Sequence, residues 1–207
     1  MRTAFWAIGL AATALLVSGC QRNPLLVTRS ACPAVAIPTY LGTVTRFNPA
    51  TSTDQGAMQF TAQIVDLKGV CSETPERLST GVSYTVAAQR RNADGPLHVE
   101  LPLFVALAQG GNVLVSKQQV VVALDFAAGQ LRAEARGTGQ AEVLRSAATL
   151  SPEVQEKISR KRRPDEMAAL SDPMSDPQVR AAVRAASFEV LVGFQLDDRS
   201  LAYNIGK

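Results

Sequence analysis

The segment Phe188-Glu189-Val190-Leu191-Val192-Gly193-Phe194-Gln195-Leu196 places an apolar side chain at every second position. This period of two is the pattern of a β-strand that buries one face. Leu191 adds an apolar residue to the opposite face at the middle of the segment. Because strands that are apolar on both faces belong to the interior of a sheet, the segment predicts a central strand.

Further β-like runs precede this segment and are separated by turn-forming residues. Pro102 lies near the start of one run, which places that start at a sheet edge. The turns are predicted at 72–81, 92–96 and 110–112. Short strands with frequent turns predict an immunoglobulin-like β-sandwich, with a small β-barrel as the alternative. The predicted strands before the central one are 35–37, 41–47, 58–64, 82–88, 101–108, 113–115, which forms a hairpin with 101–108 through 110–112, 120–126 and 131–136.

The period changes from two to that of a helix over residues 151–186. Ser151-Pro152-Glu153 has the order of an N-cap, a first-turn proline and an acidic first turn. Asp176-Pro177 repeats this start signal, and an apolar stripe with helical spacing follows it. The fold class expected is therefore all-β with a helical insertion at about 151–186. The adjacent acids Asp197 and Asp198 are expected to cap a last helical turn rather than to bind a metal ion.

The amino-terminal residues have the pattern of an export signal. Arg2 precedes an apolar run of 13 residues, 5–17, and the small residues Ser18 and Gly19 lead to Cys20. The segment Leu16-Val17-Ser18-Gly19-Cys20 resembles a lipobox, in which the cysteine is acylated and becomes the first residue of the mature protein. Two alternatives are a transmembrane anchor, although a span needs about 20 apolar residues, and a plain secretory signal with a coincidental cysteine.

The lipobox divides the chain into three parts. Residues 1–19 are expected to be the lipoprotein signal peptide, 20–31 the lipidated cysteine and its tether, and 32–207 a single β-sandwich domain. Gln21 stands where Asp would retain a bacterial lipoprotein in the inner membrane. The resemblance therefore implies a protein anchored by its lipid in the outer membrane, with its domain in the periplasm.

The net charge and the composition argue against nucleic acid as a partner and for a folded domain. The formal net charge of +3 is too small to indicate a nucleic-acid-binding protein, and a periplasmic location argues against one as well. Apolar residues make up 46% of the chain, which is enough for a buried core.

The cysteines left after lipidation are Cys32 and Cys71. An even number in an oxidising compartment predicts a disulfide between them. The alternative is a metal site that adds His98, the only histidine, but the spacing lacks a Cys-x-x-Cys pair. We expect neither a metal ion nor a cofactor.

No motif predicts a catalytic residue. The sequence has no Gly-x-Ser-x-Gly, and its single histidine, His98, is expected at the surface near a turn. Gly137-Thr138-Gly139 begins like a phosphate-binding loop, but neither a third glycine nor a Lys-Ser/Thr pair follows. We expect a turn between strands there.

One charge cluster is strong. Its basic residues are Arg160, Lys161, Arg162 and Arg163. The simplest interpretation is a solvated helix end, where cations are favourable. The alternative is a contact surface for anionic lipid headgroups, an acidic envelope protein or the peptide stems of the cell wall.

Several segments together resemble a family of small lipoproteins of alphaproteobacterial type. They are Ala31-Cys32-Pro33, a second cysteine at a strand end (Cys71), Leu101-Pro102-Leu103-Phe104-Val105-Ala106, Gly193-Phe194-Gln195-Leu196 and Leu201-Ala202-Tyr203-Asn204. Asp197 and Ser200 depart from the Thr and Gln of that pattern. The family has no assigned activity, so the resemblance implies a lipoprotein and no catalytic residues.

The function expected from the sequence is that of a non-catalytic interaction or structural module of the cell envelope. It would be held at a membrane by lipid and would bind an envelope protein. The expected contact surface is the helical insertion with its basic end, together with the 195–204 end. The alternative is a protein that binds lipid or a small molecule between its sheets, or, less favoured by the residues, a hydrolase.

Overall fold

A computed structural model describes residues 30–160 and 172–206. The strands in this part are β1 (Ala34–Ala36), β2 (Thr43–Phe47), β3 (Met58–Glu73), β4 (Arg77–Arg90), β5 (Leu97–Gln109), β6 (Val113–Phe126), β7 (Arg132–Leu144) and β8 (Phe188–Phe194). The α-helices are α1 (Arg145–Ala148), α2 (Pro152–Ser159), α3 (Pro177–Ala185) and α4 (Asp198–Ile205).

The strands form two sheets of four. One has the order β1-β8-β5-β6 and the other the order β2-β3-β4-β7. All neighbouring strands are antiparallel except β1 and β8, which are parallel. The helices α1, α2 and α3 lie between β7 and β8 in the chain. These observations confirm the all-β sandwich with a helical insertion.

Strand β8 has the central position that its sequence predicts. It pairs with β1 on one side and with β5 on the other. Phe188, Val190, Val192 and Phe194 are buried in the core between the sheets, and Leu191 is half-buried on the other face. Burying these four side chains stabilises the fold by about 1.5–3 kcal/mol each.

Pro102 lies where β5 loses one of its neighbours. The ladder with β8 begins only at Leu103, whereas the ladder with β6 extends back to Leu97. Residues 97–101 therefore face β6 alone, and on the β8 side Pro102 accepts only the backbone N–H of Gln195 at 2.9 Å, beyond the end of the ladder. As the edge prediction required, the missing N–H of Pro102 lies where this ladder stops and does not interrupt it.

The predicted turn at 72–81 is wrong in its length. Ser72 and Glu73 still belong to β3, and β4 begins at Arg77, so the connection is only 74–76. The polar residues of this stretch are not a loop, because Ser79, Gly81 and Ser83 line the solvent face of β4, while Leu78, Thr80 and Val82 are buried.

The predicted turn at 137–139 is also wrong, because these residues lie inside β7. Both glycines face the core and leave room for side chains of other strands. A Cβ added to Gly137 would lie 2.4 Å from the ring of Tyr84, and one added to Gly139 would lie 2.5 Å from a methyl group of Val105. Close packing, and neither a turn nor phosphate binding, accounts for the glycines.

The predicted disulfide is present. Cys32 and Cys71 are bonded, with 6.1 Å between their Cα atoms, and the bond joins the segment before β1 to β3 of the other sheet. It excludes the alternative of a metal site formed by these two thiolates and His98.

We predict that the double variant Cys32→Ser/Cys71→Ser loses about 4 kcal/mol of unfolding free energy, since the bond closes a loop of 39 residues. Urea unfolding of the oxidised protein and the variant measures the difference. A reductant should bring the oxidised protein to the variant's midpoint and should not change the variant. If the oxidised protein and the double variant have the same unfolding free energy, the assignment of the disulfide is contradicted.

Candidate functional site

The two ends of the sandwich differ, and we name them for what they carry. The tether pole is the end at which β1 and β8 begin and β5 ends, since Ala34 pairs with Glu189 and Glu189 with Ala108. The described chain enters there at Ser30, next to Cys32. The helical insertion leaves this pole after Leu144 and returns to it at Phe188. The far pole is the opposite end, at which β8 stops.

The helices of the insertion start at the predicted caps. The Ser151 hydroxyl accepts a hydrogen bond from the backbone N–H of Val154 at 3.4 Å, and the Asp176 carboxylate accepts one from Gln178 at 2.9 Å. Lys157 of α2 lies 3.3 Å from the same carboxylate, so the cap of α3 also connects the two helices. The hydrogen bond from Gln178 and the ammonium of Lys157 lower the pKa of Asp176.

One predicted site, the basic cluster, falls only partly within the described residues, and another, the lipidation site, falls wholly outside them. Arg160 ends α2, and its backbone N–H donates to the carbonyl of Glu156 at 2.9 Å. Lys161, Arg162 and Arg163 lie outside the described residues, and so does Cys20. The basic contact surface and the lipidation site therefore stay predictions.

The predicted contact end at 195–204 lies at the far pole, across the full length of β8 from the insertion. Its polar side chains serve the fold. The Asn204 amide is buried and donates to the carbonyls of Tyr40 and Thr43, both at 2.8 Å. The Gln195 amide oxygen accepts from Lys117 at 2.6 Å. The insertion and this end therefore do not form one surface.

The pair Asp197 and Asp198 has the capping role that the sequence predicts. The Asp197 carboxylate accepts the backbone N–H of Ser200 at 2.7 Å and begins α4. Hydrogen bonds from Ser200 lower the pKa of Asp197. The carboxylate is thus engaged by the helix that it starts.

Arg90 organises the loops of the far pole, and no sequence motif pointed to it. It is buried, and its guanidinium donates to the carbonyls of Gln130, Gly95 and Ala127 at 2.6, 2.7 and 2.9 Å. The guanidinium carbon also lies 5.3 Å from the centre of the Phe126 ring. The alternation of β4 that buries Tyr84, Val86 and Ala88 continues to Arg90, so a signal was present in the sequence.

A wide hollow of about 700 Å³ opens beside Arg90. Arg90 is one of the residues that line the hollow, and its three hydrogen bonds to loop carbonyls hold the loops on this side together. The lining is more polar than apolar, and its residues are Asn48, Gly56, Ala57, Met58, Gln59, Arg90, Arg91, Asn92, Ala93, Asp94, Gly95, Pro96 and Leu97.

His98 is exposed, as predicted, and it has an acidic partner. Its Nδ1 lies 2.6 Å from Oδ1 of Asp125, the residue directly opposite on β6, and its Nε2 lies 4.0 Å from Glu100. The hydrogen bond to Asp125 and the negative charge of that residue raise the pKa of His98. Only the register of β5 and β6 brings these side chains together, so the pair could not be found before the register was known.

None of the helices in residues 30–160 and 172–206 is long and apolar enough to cross a membrane.

We predict that Arg90→Met lowers the unfolding free energy by about 2 kcal/mol, because three carbonyls lose their donor. The matched control is Arg91→Met, which removes the exposed arginine that follows β4. Because the hydrogen bond of Arg91 to the carbonyl of Gln55 is at the surface, this substitution should change the stability by less than about 0.5 kcal/mol. Thermal and urea unfolding measure both variants. Equal effects of the two substitutions would show that the clamp is not structural.

We also predict that the pKa of His98 lies above that of an unperturbed histidine, and that Asp125→Asn lowers it. Imidazole proton resonances followed through a pH titration measure both values directly, since the chain has one histidine. Because the pKa of His98 is higher in the folded protein than in the unfolded chain, the pair stabilises the fold at pH values below the pKa of the unfolded chain. This stabilisation is lost as the pH rises through the pKa of His98 in the folded protein. A titration curve unchanged by Asp125→Asn would contradict the pairing.

Comparison with known proteins finds no relative of this chain. No protein-family model, no curated protein and no solved structure matches the chain. The resemblance to a lipoprotein family therefore stays a prediction, and the function is argued from the residues and their geometry.

Proposed function

We propose that this chain is a lipid-anchored protein of the bacterial cell envelope, acylated at Cys20, whose domain acts as a non-catalytic interaction module in the periplasm. The membrane would hold it through the lipid, the outer membrane being favoured by Gln21. Its partner would be an envelope protein.

One observation carries the proposal. The parallel pairing of β1 with β8 places the entry of the predicted tether and the helical insertion at the same pole. A lipid on Cys20 would thus bring the predicted contact surface close to the membrane. The Cys32–Cys71 bond adds support, because disulfides persist in oxidising compartments such as the periplasm.

The packing between the sheets favours an interaction module over a ligand carrier. Gly137 and Gly139 leave only the space that Tyr84 and Val105 fill. The largest residues of the two inner faces, among them Phe126, Phe194 and Leu103, are almost completely buried. A carrier would instead need an apolar space between these faces.

We predict that the mature protein made in a bacterial host begins at an acylated Cys20 and sediments with membranes. Intact-mass measurement of membrane and soluble fractions tests this. Cys20→Ser should lose the acyl mass and the mature amino terminus, since no thiol remains to accept lipid. The double variant Cys32→Ser/Cys71→Ser, as the matched control, should keep both. An unmodified precursor with all cysteines reduced would overturn the proposal.

The partner is tested by a photo-crosslinking residue at two exposed positions of the full chain in cells. One replaces Gln155 of α2 in the insertion, and the other replaces Ala202 of α4 at the far pole. We expect a discrete adduct with an envelope protein from position 155 and none from 202. Adducts from 202 alone would move the contact to the far pole, and none from either position would count against a protein partner.

A further inference from the structure

The hairpin between β5 and β6 ends in an exposed apolar tip. Gly110 and Gly111 have φ of 62° and 82°, which lets the chain reverse within 110–112. The next residues, Val113, Leu114 and Val115, are 53%, 61% and 49% exposed. Soluble domains rarely leave such adjacent apolar side chains in water unless the patch contacts something.

No packing role explains these three residues. They are absent from the described core between the sheets and from the side chains packed against it. Val115 is the extra residue of a β-bulge, because Leu107 pairs with Ser116 and Ala108 with Leu114. Within the described residues, β6 is also the last strand in the hydrogen-bonded order of its sheet, so the stretch 113–115 has a hydrogen-bonded strand partner, β5, on one side only.

The tip lies at the tether pole. Gln109, the last residue of β5, pairs with both Val113 and Phe188, so the tip is level with the start of β8. From β6 to β1 there are three strand spacings, about 14 Å in total. Residues 20–29 between the predicted lipid and Ser30 span about 35 Å at full extension. An anchor on Cys20 would therefore keep this pole within about 35 Å of the bilayer, close enough for the tip to reach it.

Basic side chains flank the tip. A Cβ added to Gly110 would lie 2.8 Å from Cγ of Arg184, so the stem of this arginine rests on the hairpin. Arg180 is one helical turn earlier on the same face of α3, and both arginines are exposed. No residue of 109–116 is charged. Glu189 of β8 is the acid closest in register, and it is half-buried.

We propose that the tip Val113-Leu114-Val115 enters the interfacial layer of the bilayer, while Arg180 and Arg184 contact anionic headgroups. Apolar side chains flanked by cations match that layer, in which acyl chains meet a negatively charged surface. This inference rests on the proposed lipid anchor and adds an orientation to it: the tether pole faces the membrane and the far pole faces the periplasm.

Tryptophan fluorescence tests the inference with little background. The only tryptophan, Trp6, lies in the predicted signal peptide, so Leu114→Trp supplies the single tryptophan of the mature protein, which can be excited apart from its tyrosines. The matched control is Val121→Trp, also on β6 and also at a residue that is 61% exposed, but further from the tip. The acylated mature variants, which begin at Cys20, are incorporated into vesicles of phosphatidylethanolamine and phosphatidylglycerol, with and without brominated acyl chains.

For Leu114→Trp we expect a blue-shifted emission maximum and loss of more than half of the emission to brominated lipid. Val121→Trp should emit as in water and should not be quenched. Adding Arg180→Ser/Arg184→Ser should reverse much of the shift in these vesicles, and removing phosphatidylglycerol should have the same effect.

Other outcomes overturn the inference in distinguishable ways. If the protein floats with the vesicles but the Leu114→Trp variant emits as in water, or both variants are quenched equally, the orientation is wrong and the anchor stands. A blue shift without quenching by bromine would mean that the tip is covered by a second copy of the chain. If the protein carries no acyl group and does not float, the anchor fails and the orientation falls with it.

Discussion

The parallel ladder between β1 and β8 is the constraint on which the arrangement of this molecule depends. Two parallel strands begin at the same end of a sheet, so whatever precedes each of them emerges on the same side. The segment before β1 is the entry of the predicted tether, and the segment before β8 is the helical insertion. More than 150 residues separate Ala34 from Glu189 in the chain, and one ladder makes them neighbours.

The same ladder separates two surfaces that the sequence suggested as one. Helix α4 follows β8 and therefore lies at the far pole, while α3 precedes β8 and lies at the tether pole. At the far pole the polar residues close the fold: Asn204 connects α4 to the start of β2, and Arg90 gathers the loops on either side of β5 and β6. Any recognition by the insertion therefore takes place away from this end.

Features set by local physics could be predicted from the sequence. The central strand, the N-caps Ser151, Asp176 and Asp197, and the hairpin at 110–112 depend on residues near in the chain. The disulfide could be predicted because the expected lipidation of Cys20 would leave two candidates. The failed turn at 137–139 and the missed partner of His98 depend on residues distant in the chain. Gly137 looks like a turn residue until Tyr84 is placed over it, and His98 looks isolated until the register brings Asp125 opposite.

The position of the Cys32–Cys71 bond decides how the domain carries tension. A force applied to the amino-terminal segment acts on Cys32 before it acts on β1. The disulfide transmits this force directly to Cys71 of β3. The short strand β1 is thereby relieved of most of the load. The force instead acts along β3, a strand of 16 residues hydrogen-bonded over most of its length to β4, which would have to slide as a whole. The domain is thus built to resist extraction from its amino-terminal side by shear of the ladder between β3, its longest strand, and β4.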